Sequence, residues 1–484
     1  MKFNTINQTK KEFNINHKTM NIPSFFMISN LGGGGSDKYR ETVYLDLFKN
    51  TPTLYNYHYL RDPKFANKWI SKINDFNTFG EFIDFTRKSM IDDEHFYCDD
   101  YTFESYNCNN TIYLLDSGAA NIINNLLKTI NISDNPSQLN NQLISIMKEY
   151  YTFANKFKFD IVIGFDIGGK YTSKGEERTN ESIIAGNQQV KENSNTINNI
   201  LLEESIKYIK SQPEFYPSIY ATVHGSTAKE YLKNIRYILN LEEKYDFKFD
   251  GFALGGIASS KSLDKSKWNI DENSQQLIKT LTKGIGSKDE VYNSIISSFA
   301  CRIVKSVVGD RPIHALGAGG KTNILPLYFS GATSFDSQTP GRRAYDGNAK
   351  STEQVFDSTA KNSFSQYLIG VLNKDLDLIN TSKFNSYVKL NLLDDTIEKC
   401  GCPSCDLFSI SDIKTLYSKK NNDNEYYYLS RQLLNAHGIW QHNYLCNLST
   451  NSTCSNIIPK LSNNKALADI LKYIIFDFNY EIEE

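Results

Sequence analysis

The sequence predicts an α/β protein built on a TIM-type (β/α)8 barrel that carries an additional cysteine-rich subdomain. Three observations predict it. Eight short apolar runs alternate with helical stretches, glycines cluster just after several of these runs, and cysteines crowd around residue 400. Eight buried strands joined by helices fit a closed parallel barrel better than an open sheet of that width.

Each predicted strand is a short apolar run that ends in small or acidic residues, followed by a stretch with helical periodicity. Runs of this kind predict parallel strands that are covered on both faces. In chain order they are Phe25–Asn30, Thr53–Leu60, Ile112–Asp116, Asp160–Asp166, Ile219–Val223, Gly251–Leu254, Ile313–Leu316 and Thr333–Asp336.

The segments between the strands divide into helices and polar loops. Apolar residues three and four positions apart share one face in residues 122–130, 232–239 and 295–303, which predicts amphipathic helices. Residues 175–195 and 261–274 are polar and predict exposed loops, whereas residues 461–484 predict a closing helix.

Glycines follow four of the predicted strands at the same relative place. In a barrel the carboxyl ends of the strands surround the active site, where the backbone must approach a ligand closely. Four clusters in one relative position therefore predict a ligand site at that end, with glycines at 32–35, 168–169, 255–256, and 317, 319 and 320.

The chain is long enough for one barrel with additions. We assign residues 1–22 to an N-terminal extension, 23–390 to the catalytic barrel, 391–450 to the cysteine-rich subdomain and 451–484 to a C-terminal helical segment. The 484 residues are 40% hydrophobic, which suffices for a large core.

The net charge and the hydropathy of the chain limit which nucleic-acid and membrane partners we expect. The net charge of −2 provides no overall attraction to nucleic acid, so a nucleic-acid substrate would need a local basic patch. No window reaches the roughly 18 apolar residues of a membrane span, and the first 20 residues are polar. We therefore expect no membrane partner and a cytoplasmic protein, in the host cytoplasm if a virus encodes it.

The most specific local motif is the cysteine cluster. Cys400, Cys402 and Cys405 lie within six residues, and His437 follows on a helical stretch. Three thiolates and one imidazole form a closed tetrahedral Zn2+ site, which is structural rather than catalytic. His442, Cys446 and Cys454 are alternative fourth ligands that the spacing leaves open.

Two carboxylates end predicted strands, Asp116 in LLDSG and Asp336 in SFDSQTPGRR. In a barrel both would project into one mouth, where one serves as nucleophile and the other as acid/base. Each alone also fits an ordinary turn or a helix cap. A glycoside-hydrolysing barrel is another reading of the pair, although it leaves the cysteine motif unexplained.

Further candidates lie near other strand ends. Asp166 has the chemistry to bind the N–H edge of a purine, or to cap a helix. Arg342 and Arg343 fit a phosphate contact, or solvated surface charge. For His224 and His314, a buried histidine satisfied by a hydrogen bond is the commoner outcome.

Taken in order, eight motifs of this chain resemble the strand-end motifs of tRNA-guanine transglycosylases. The likeness runs from about Phe25 to Leu448, in the same order and with similar spacing. The motifs are YNYHYL, LLDSG, DIVIGFD, TVHGS, GFALGGIA, RPIHALGAGG, GATSFDSQTPGRR, and CGCPSC with AHGI.

The resemblance implies a pentosyltransferase that exchanges guanine for another base. It implies that Asp336 is the nucleophile on the sugar C1′ and that Asp116 is the general acid/base. It further implies that Asp166 recognises the base, that Gly255 and Gly256 face its 7-substituent, and that Leu316 flanks it. The zinc ligands implied are Cys400, Cys402, Cys405 and His437, which selects His437 over His442.

Several positions depart from the family pattern. His224 stands where the family has a glutamine that reads the base, Ala120 replaces an aromatic residue, and Ile167 and Gly168 replace polar neighbours. Arg342 matches one family arginine, whereas Tyr345 replaces another. A retained catalytic pair with an altered pocket is similar to the DNA-guanine transglycosylases, which insert a 7-deazaguanine, commonly preQ0, into DNA.

The expected partners are therefore DNA and a 7-deazaguanine base, with a homodimer or helper proteins as further partners. Two alternatives remain open. In the first alternative the substrate is a tRNA anticodon loop. In the second the chain is a non-catalytic zinc-binding partner subunit. A duplex substrate would have to be opened or its guanine flipped out of the stack.

Overall fold

The structure is a computed structural model. It describes residues 11–29, 51–61, 70–92, 108–126, 136–167, 181–258, 268, 275–276, 288–338, 340, 403, 424–450, 453–460 and 465–474. For residues 181–193 and some other helical positions, among them Ala120 and His437, it describes the backbone alone.

Eight parallel strands close into a barrel, as the sequence predicts. Strands β3 to β10 are neighbours in chain order, and β10 pairs with β3 to complete the ring. The strands are β3 (Ser24–Ser29), β4 (Thr53–Asn56), β5 (Tyr113–Asp116), β6 (Ile161–Ile163), β7 (Ser218–Val223), β8 (Gly251–Leu254), β9 (Ile313–Ala315) and β10 (Ser334–Asp336).

Each of the eight predicted runs overlaps a strand, and the run Gly251–Leu254 matches its strand residue for residue. The run Thr53–Leu60 was predicted too long, because helix α1 (Tyr57–Arg61) begins directly after β4. Asn56 Oδ1 accepts a hydrogen bond from the His58 N–H at 3.0 Å. This side-chain bond caps the first turn and ends the strand.

Two apolar layers lie on opposite faces of the strands. Tyr55, Leu115 and Val223 belong to the outer layer, which packs against the helices. Leu54, Leu114 and Ala253 belong to the inner layer, which fills the barrel. Since successive strand residues point to opposite faces, this alternation fixes which polar residues at the strand ends face the barrel interior.

Helices surround the barrel. The helix Ala228–Tyr245 is capped by Thr227, whose side chain accepts from the Glu230 N–H, and it ends at Asp246 in the left-handed conformation. The remaining longer helices are Phe79–Asp92, Ala119–Leu126, Pro136–Lys156, Glu181–Lys210, Lys288–Val308, Lys321–Tyr328, Asn424–Thr450 and Lys465–Lys472.

One loop prediction was wrong where the structure describes it, and a second was wrong about exposure at one residue. Residues 181–195 lie in the helix Glu181–Lys210. The segment was predicted as a loop because it is rich in Lys, Glu and Asn, but Lys and Glu are also good helix formers. Trp268, in the second predicted loop, is 2% exposed and donates its indole N–H to the Ser226 carbonyl at 2.8 Å.

A β-hairpin closes the amino-terminal end of the barrel. Strands β1 (Glu12–Ile15) and β2 (Lys18–Asn21) pair antiparallel, and Ile15 and Met20 belong to the inner apolar layer. Lys18 Nζ donates to the Asp160 carboxylate and to the Thr111 carbonyl, both at 2.7 Å. Part of the predicted N-terminal extension is therefore a plug of the barrel.

The C-terminal helices complete the outer layer. His442, on the helix Asn424–Thr450, packs its ring against Phe25 of β3 at 4.7 Å between ring centroids. The helix Lys465–Lys472 confirms the predicted closing helix over those residues. Of the helices that the structure describes, none combines the length and the hydrophobicity needed for a membrane span.

Candidate active site

The carboxyl ends of the eight strands form one mouth, because all the strands are parallel. Asn56 and Asp116 are register partners at the ends of β4 and β5. The residues at or just beyond strand ends that face this mouth are Asn56, Asp116, Asp166, His224, Gly255, Leu316 and Asp336. Of the predicted site residues within the described ranges, the structure thus brings together residues from six strands.

Asp116 is held by a tight local turn. Its Oδ2 accepts hydrogen bonds from Asn56 Nδ2 at 3.1 Å and from the Gly118 N–H at 3.2 Å. Gly118 has φ +62°, and a Cβ there would lie 2.0 Å from Asn56 Oδ1. The DSG sequence therefore forms a turn, and this turn also fixes the carboxylate at the mouth.

The surroundings of Asp116 disfavour its charged form. Loss of hydration raises its pKa to about 7, and the negative charges of Asp166 and Asp336 act in the same direction. A carboxyl group with this pKa exchanges its proton readily near neutral pH, as an acid/base catalyst must.

Asp336 has different surroundings, although it is only 6% exposed. Its Oδ1 accepts the Gly317 N–H at 2.7 Å and lies 3.1 Å from His314 Nε2. The Gly317 N–H is a backbone donor, and a carboxylate oxygen is an acceptor suited to it. The mouth thus contains one carboxyl group held as an acceptor and another that is poised to carry a proton.

Asp166 and His224 form a close pair, with His224 Nε2 at 2.5 Å from Asp166 Oδ2. The backbone of His224 is held as well, since its N–H donates to Asn234 Oδ1 at 2.9 Å. The expectation that His224 is a buried, hydrogen-bonded histidine is met: it is 8% exposed.

The glycines beside His224 leave room for its ring. A Cβ at Gly255 would lie 2.4 Å from His224 Cε1, so a larger residue there would displace the His224 ring. Gly256 has φ +76°, and the Tyr231 hydroxyl donates to the Gly255 carbonyl at 2.8 Å. Leu316 is half-buried and packs on the inner apolar layer.

Tyr150 was missed by the sequence reasoning. Its hydroxyl lies 2.7 Å from the carbonyls of both Leu115 and Ile163, so it ties β5 to β6 directly beneath Asp116. Asn56 was missed as well, because the predicted strand ran past it. A polar residue at a strand end was the available signal for Asn56, whereas Tyr150 on a helix gave none.

Several predicted residues lie outside what the structure describes. They are Arg342, Arg343, Cys400, Cys402, Cys405 and the side chain of His437. The alternative ligands are described: His442 Nδ1 donates to the Gly438 carbonyl at 2.6 Å, and Cys446 is buried. Burial raises the pKa of the Cys454 thiol to about 12.

Comparison with known proteins gives no family. No protein-family model matches the chain, and no curated protein matches it. The function is therefore argued from the mouth of the barrel itself.

Proposed function

We propose that this protein is a base-exchange transglycosylase that replaces guanine in DNA with a 7-deazaguanine. The observation that carries the proposal is that Asp116 and Asp336 lie at the ends of two strands in one barrel mouth, where burial, and then the charges of Asp166 and Asp336, raise the pKa of Asp116 to about 7. A nucleophile and a proton carrier with separate surroundings are what a two-step glycosyl transfer requires.

In the first step the Asp336 carboxylate attacks C1′ of the sugar. The C1′–N9 bond breaks, a glycosyl ester forms on Asp336, and the leaving guanine takes a proton from Asp116. In the second step Asp116 removes the N9 proton of the incoming base. That nitrogen then attacks C1′, which breaks the ester and restores the Asp336 carboxylate.

The base would be recognised by the close pair Asp166 and His224, with Gly255 and Gly256 on one side and Leu316 flanking the ring. A carboxylate suits the N–H edge of a guanine-type base, which presents donors. Arg342 and Arg343 are proposed phosphate contacts. Zn2+ on Cys400, Cys402, Cys405 and His437 is proposed as a structural ion with no part in either step.

The two-step exchange is tested with isotope-labelled guanine. Purified protein is incubated with labelled guanine and either DNA or tRNA, and label in the recovered polymer is measured. We expect label in DNA, no label with Asp336→Ala, and normal labelling with Asp310→Asn, an exposed aspartate in the turn before β9.

Label in tRNA alone would replace DNA by a tRNA anticodon loop as the substrate. Full exchange by Asp336→Ala would remove the nucleophile assignment. An absence of label in both polymers, with folded protein and either guanine or preQ0 supplied, would favour a non-catalytic partner subunit.

A further inference from the structure

A second histidine lies directly below the mouth and has no role in the two steps described above. His314, on β9, is fully buried inside the barrel, where its ring meets Phe26 edge to face at 5.4 Å between centroids. A polar ring in such a place requires partners for both nitrogens.

Both partners are on β10. His314 Nε2 lies 3.1 Å from Asp336 Oδ1, and His314 Nδ1 lies 2.9 Å from Ser334 Oγ. Ser334 is the register partner of His314 across the two strands. The sheet itself therefore aligns a chain of hydrogen bonds from Ser334 through His314 to Asp336.

The chemistry of these groups assigns the tautomer. An ionised carboxylate only accepts hydrogen bonds, so Nε2 must carry the proton that faces Asp336. In the neutral ring Nδ1 is then an acceptor, and the Ser334 hydroxyl donates to it. Ser334 thereby selects the tautomer in which His314 is a donor to Asp336.

The turn after β9 supplies a second donor to the same oxygen. The Gly317 N–H donates to Asp336 Oδ1 at 2.7 Å, and Gly317 has φ +64°, a conformation that favours glycine. The Asp336 carbonyl in turn accepts the Gly319 N–H at 2.8 Å. No hydrogen bond reaches Oδ2 from the described part of the chain.

We propose that His314, oriented by Ser334, is a positioning residue that fixes Asp336 Oδ1 and makes Oδ2 the attacking atom. The proposal rests on the proposed function. As the C1′–N9 bond breaks, Oδ2 forms the ester bond, while Oδ1 keeps the hydrogen bonds from His314 and Gly317. The His314 proton stays on Nε2 throughout.

The kinetic test compares His314→Leu with His314→Gln, because a glutamine amide reaches the place of Nε2 and restores a donor. We expect the kcat of exchange to fall about 100-fold in His314→Leu, because the attacking carboxylate loses its fixed orientation, with KM for DNA unchanged. His314→Gln should recover most of the loss. Ser334→Ala should lower kcat several-fold.

A second measurement does not depend on activity. Histidine 15N spectra of the whole wild-type protein, with the His314 signals assigned from His314→Gln, should show a protonated Nε2 and an acceptor Nδ1. The opposite tautomer would overturn the proposal even if no exchange activity were found.

The two proposals fail in different ways. If the wild type exchanges no base into DNA or tRNA, the proposed function fails, and the spectra still decide the His314 assignment. If the wild type is active and folded His314→Leu keeps full kcat, or if His314→Gln is no better than a folded His314→Leu, the positioning role is overturned.

Discussion

The mouth of the barrel holds Asp116 where its negative charge is disfavoured. An aspartate in an unfolded chain titrates near pH 4, whereas Asp116 in the fold titrates near pH 7. The folded state therefore binds this proton more tightly than the unfolded state. The contribution of Asp116 to stability is fully present below about pH 4 and is lost as the pH rises to about 7.

The loss of stability at higher pH predicts how Asp116→Asn changes the free energy of unfolding. Asparagine keeps an oxygen that accepts from Asn56 and Gly118 but carries no charge. We expect the variant to gain little near pH 4 and to gain on the order of 2 to 4 kcal/mol in the free energy of unfolding at pH 8. Urea unfolding between pH 4 and pH 8 measures the trend.

The matched control is Asp310→Asn, which changes an exposed carboxylate at the other end of the barrel. Its effect on unfolding should stay small at every pH. If Asp116→Asn is less stable than the wild type at pH 8, the charged Asp116 carboxylate does not destabilise the folded state.

Gly118 and Gly309 offer a matched pair at the residue scale. Their φ values are +62° and +64°, so alanine costs about 1 to 2 kcal/mol in backbone strain at either place. At Gly309 nothing lies within 4 Å of the added Cβ, whereas at Gly118 the Cβ collides with Asn56.

We therefore expect Gly118→Ala to be the more destabilising of the two and to lower base exchange, because the Asp116 turn must shift. Gly309→Ala should leave exchange unchanged. Thermal melting and the labelled-guanine assay measure both effects. Equal losses in the two variants would mean that the contact with Asn56 is unimportant.

At the scale of elements, a partly buried ion pair helps to fasten the amino-terminal hairpin to the barrel. Asp160 is fully buried, and burial raises its pKa although the Lys18 ammonium opposes that shift. The Tyr113 N–H also donates to Asp160 Oδ2 at 2.8 Å. Loss of Lys18 leaves a buried carboxylate without its cation.

We expect Lys18→Ala to lower the free energy of unfolding by about 2 to 4 kcal/mol, and Lys18→Met with Asp160→Asn to recover part of the loss. Lys88→Ala is the control, since Lys88 forms an exposed pair with Asp84 on a helix and should cost less than about 0.5 kcal/mol. A loss no larger than that of the control would contradict the fastening role.

The sequence predicted the barrel strands well and the other elements less well, for physical reasons. Strands such as Gly251–Leu254 are buried on both faces and read as continuous apolar runs. The hairpin strands Glu12–Ile15 and Lys18–Asn21 are short and mostly exposed. The start of the helix Glu181–Lys210 is polar, so no apolar stripe distinguished it from a loop.

In the candidate site, too, the sequence predicted some features and missed others. Strand-end position was enough to propose Asp116, Asp166 and Asp336 for one mouth. It did not predict the hydrogen bond from Gly317 to Asp336, because that bond depends on the three-dimensional meeting of β9 and β10. The spacing of residues along the sequence also did not predict that the His224 ring would pack against Gly255.

At the scale of the whole molecule, the zinc-binding subdomain is predicted from the cysteine motif. We expect about one zinc ion per purified chain and loss of that ion in Cys402→Ser, measured by elemental mass spectrometry. Cys454→Ser is the control, since Cys454 lies outside the CGCPSC motif. Zinc that follows Cys454 instead of Cys402 would overturn the proposed ligand set.

The central claim is that Asp336 forms a covalent bond to a sugar of the nucleic acid. The most direct measurement is peptide mass mapping after the wild-type protein has been mixed with guanine-containing DNA and quenched in acid. We predict that the peptide containing Asp336 carries a base-free deoxyribose of the DNA backbone, because guanine has left, and that this adduct is lost on addition of excess guanine or preQ0 before quenching. An adduct on another residue, or exchange of labelled guanine that proceeds with no adduct at any time, would contradict the account.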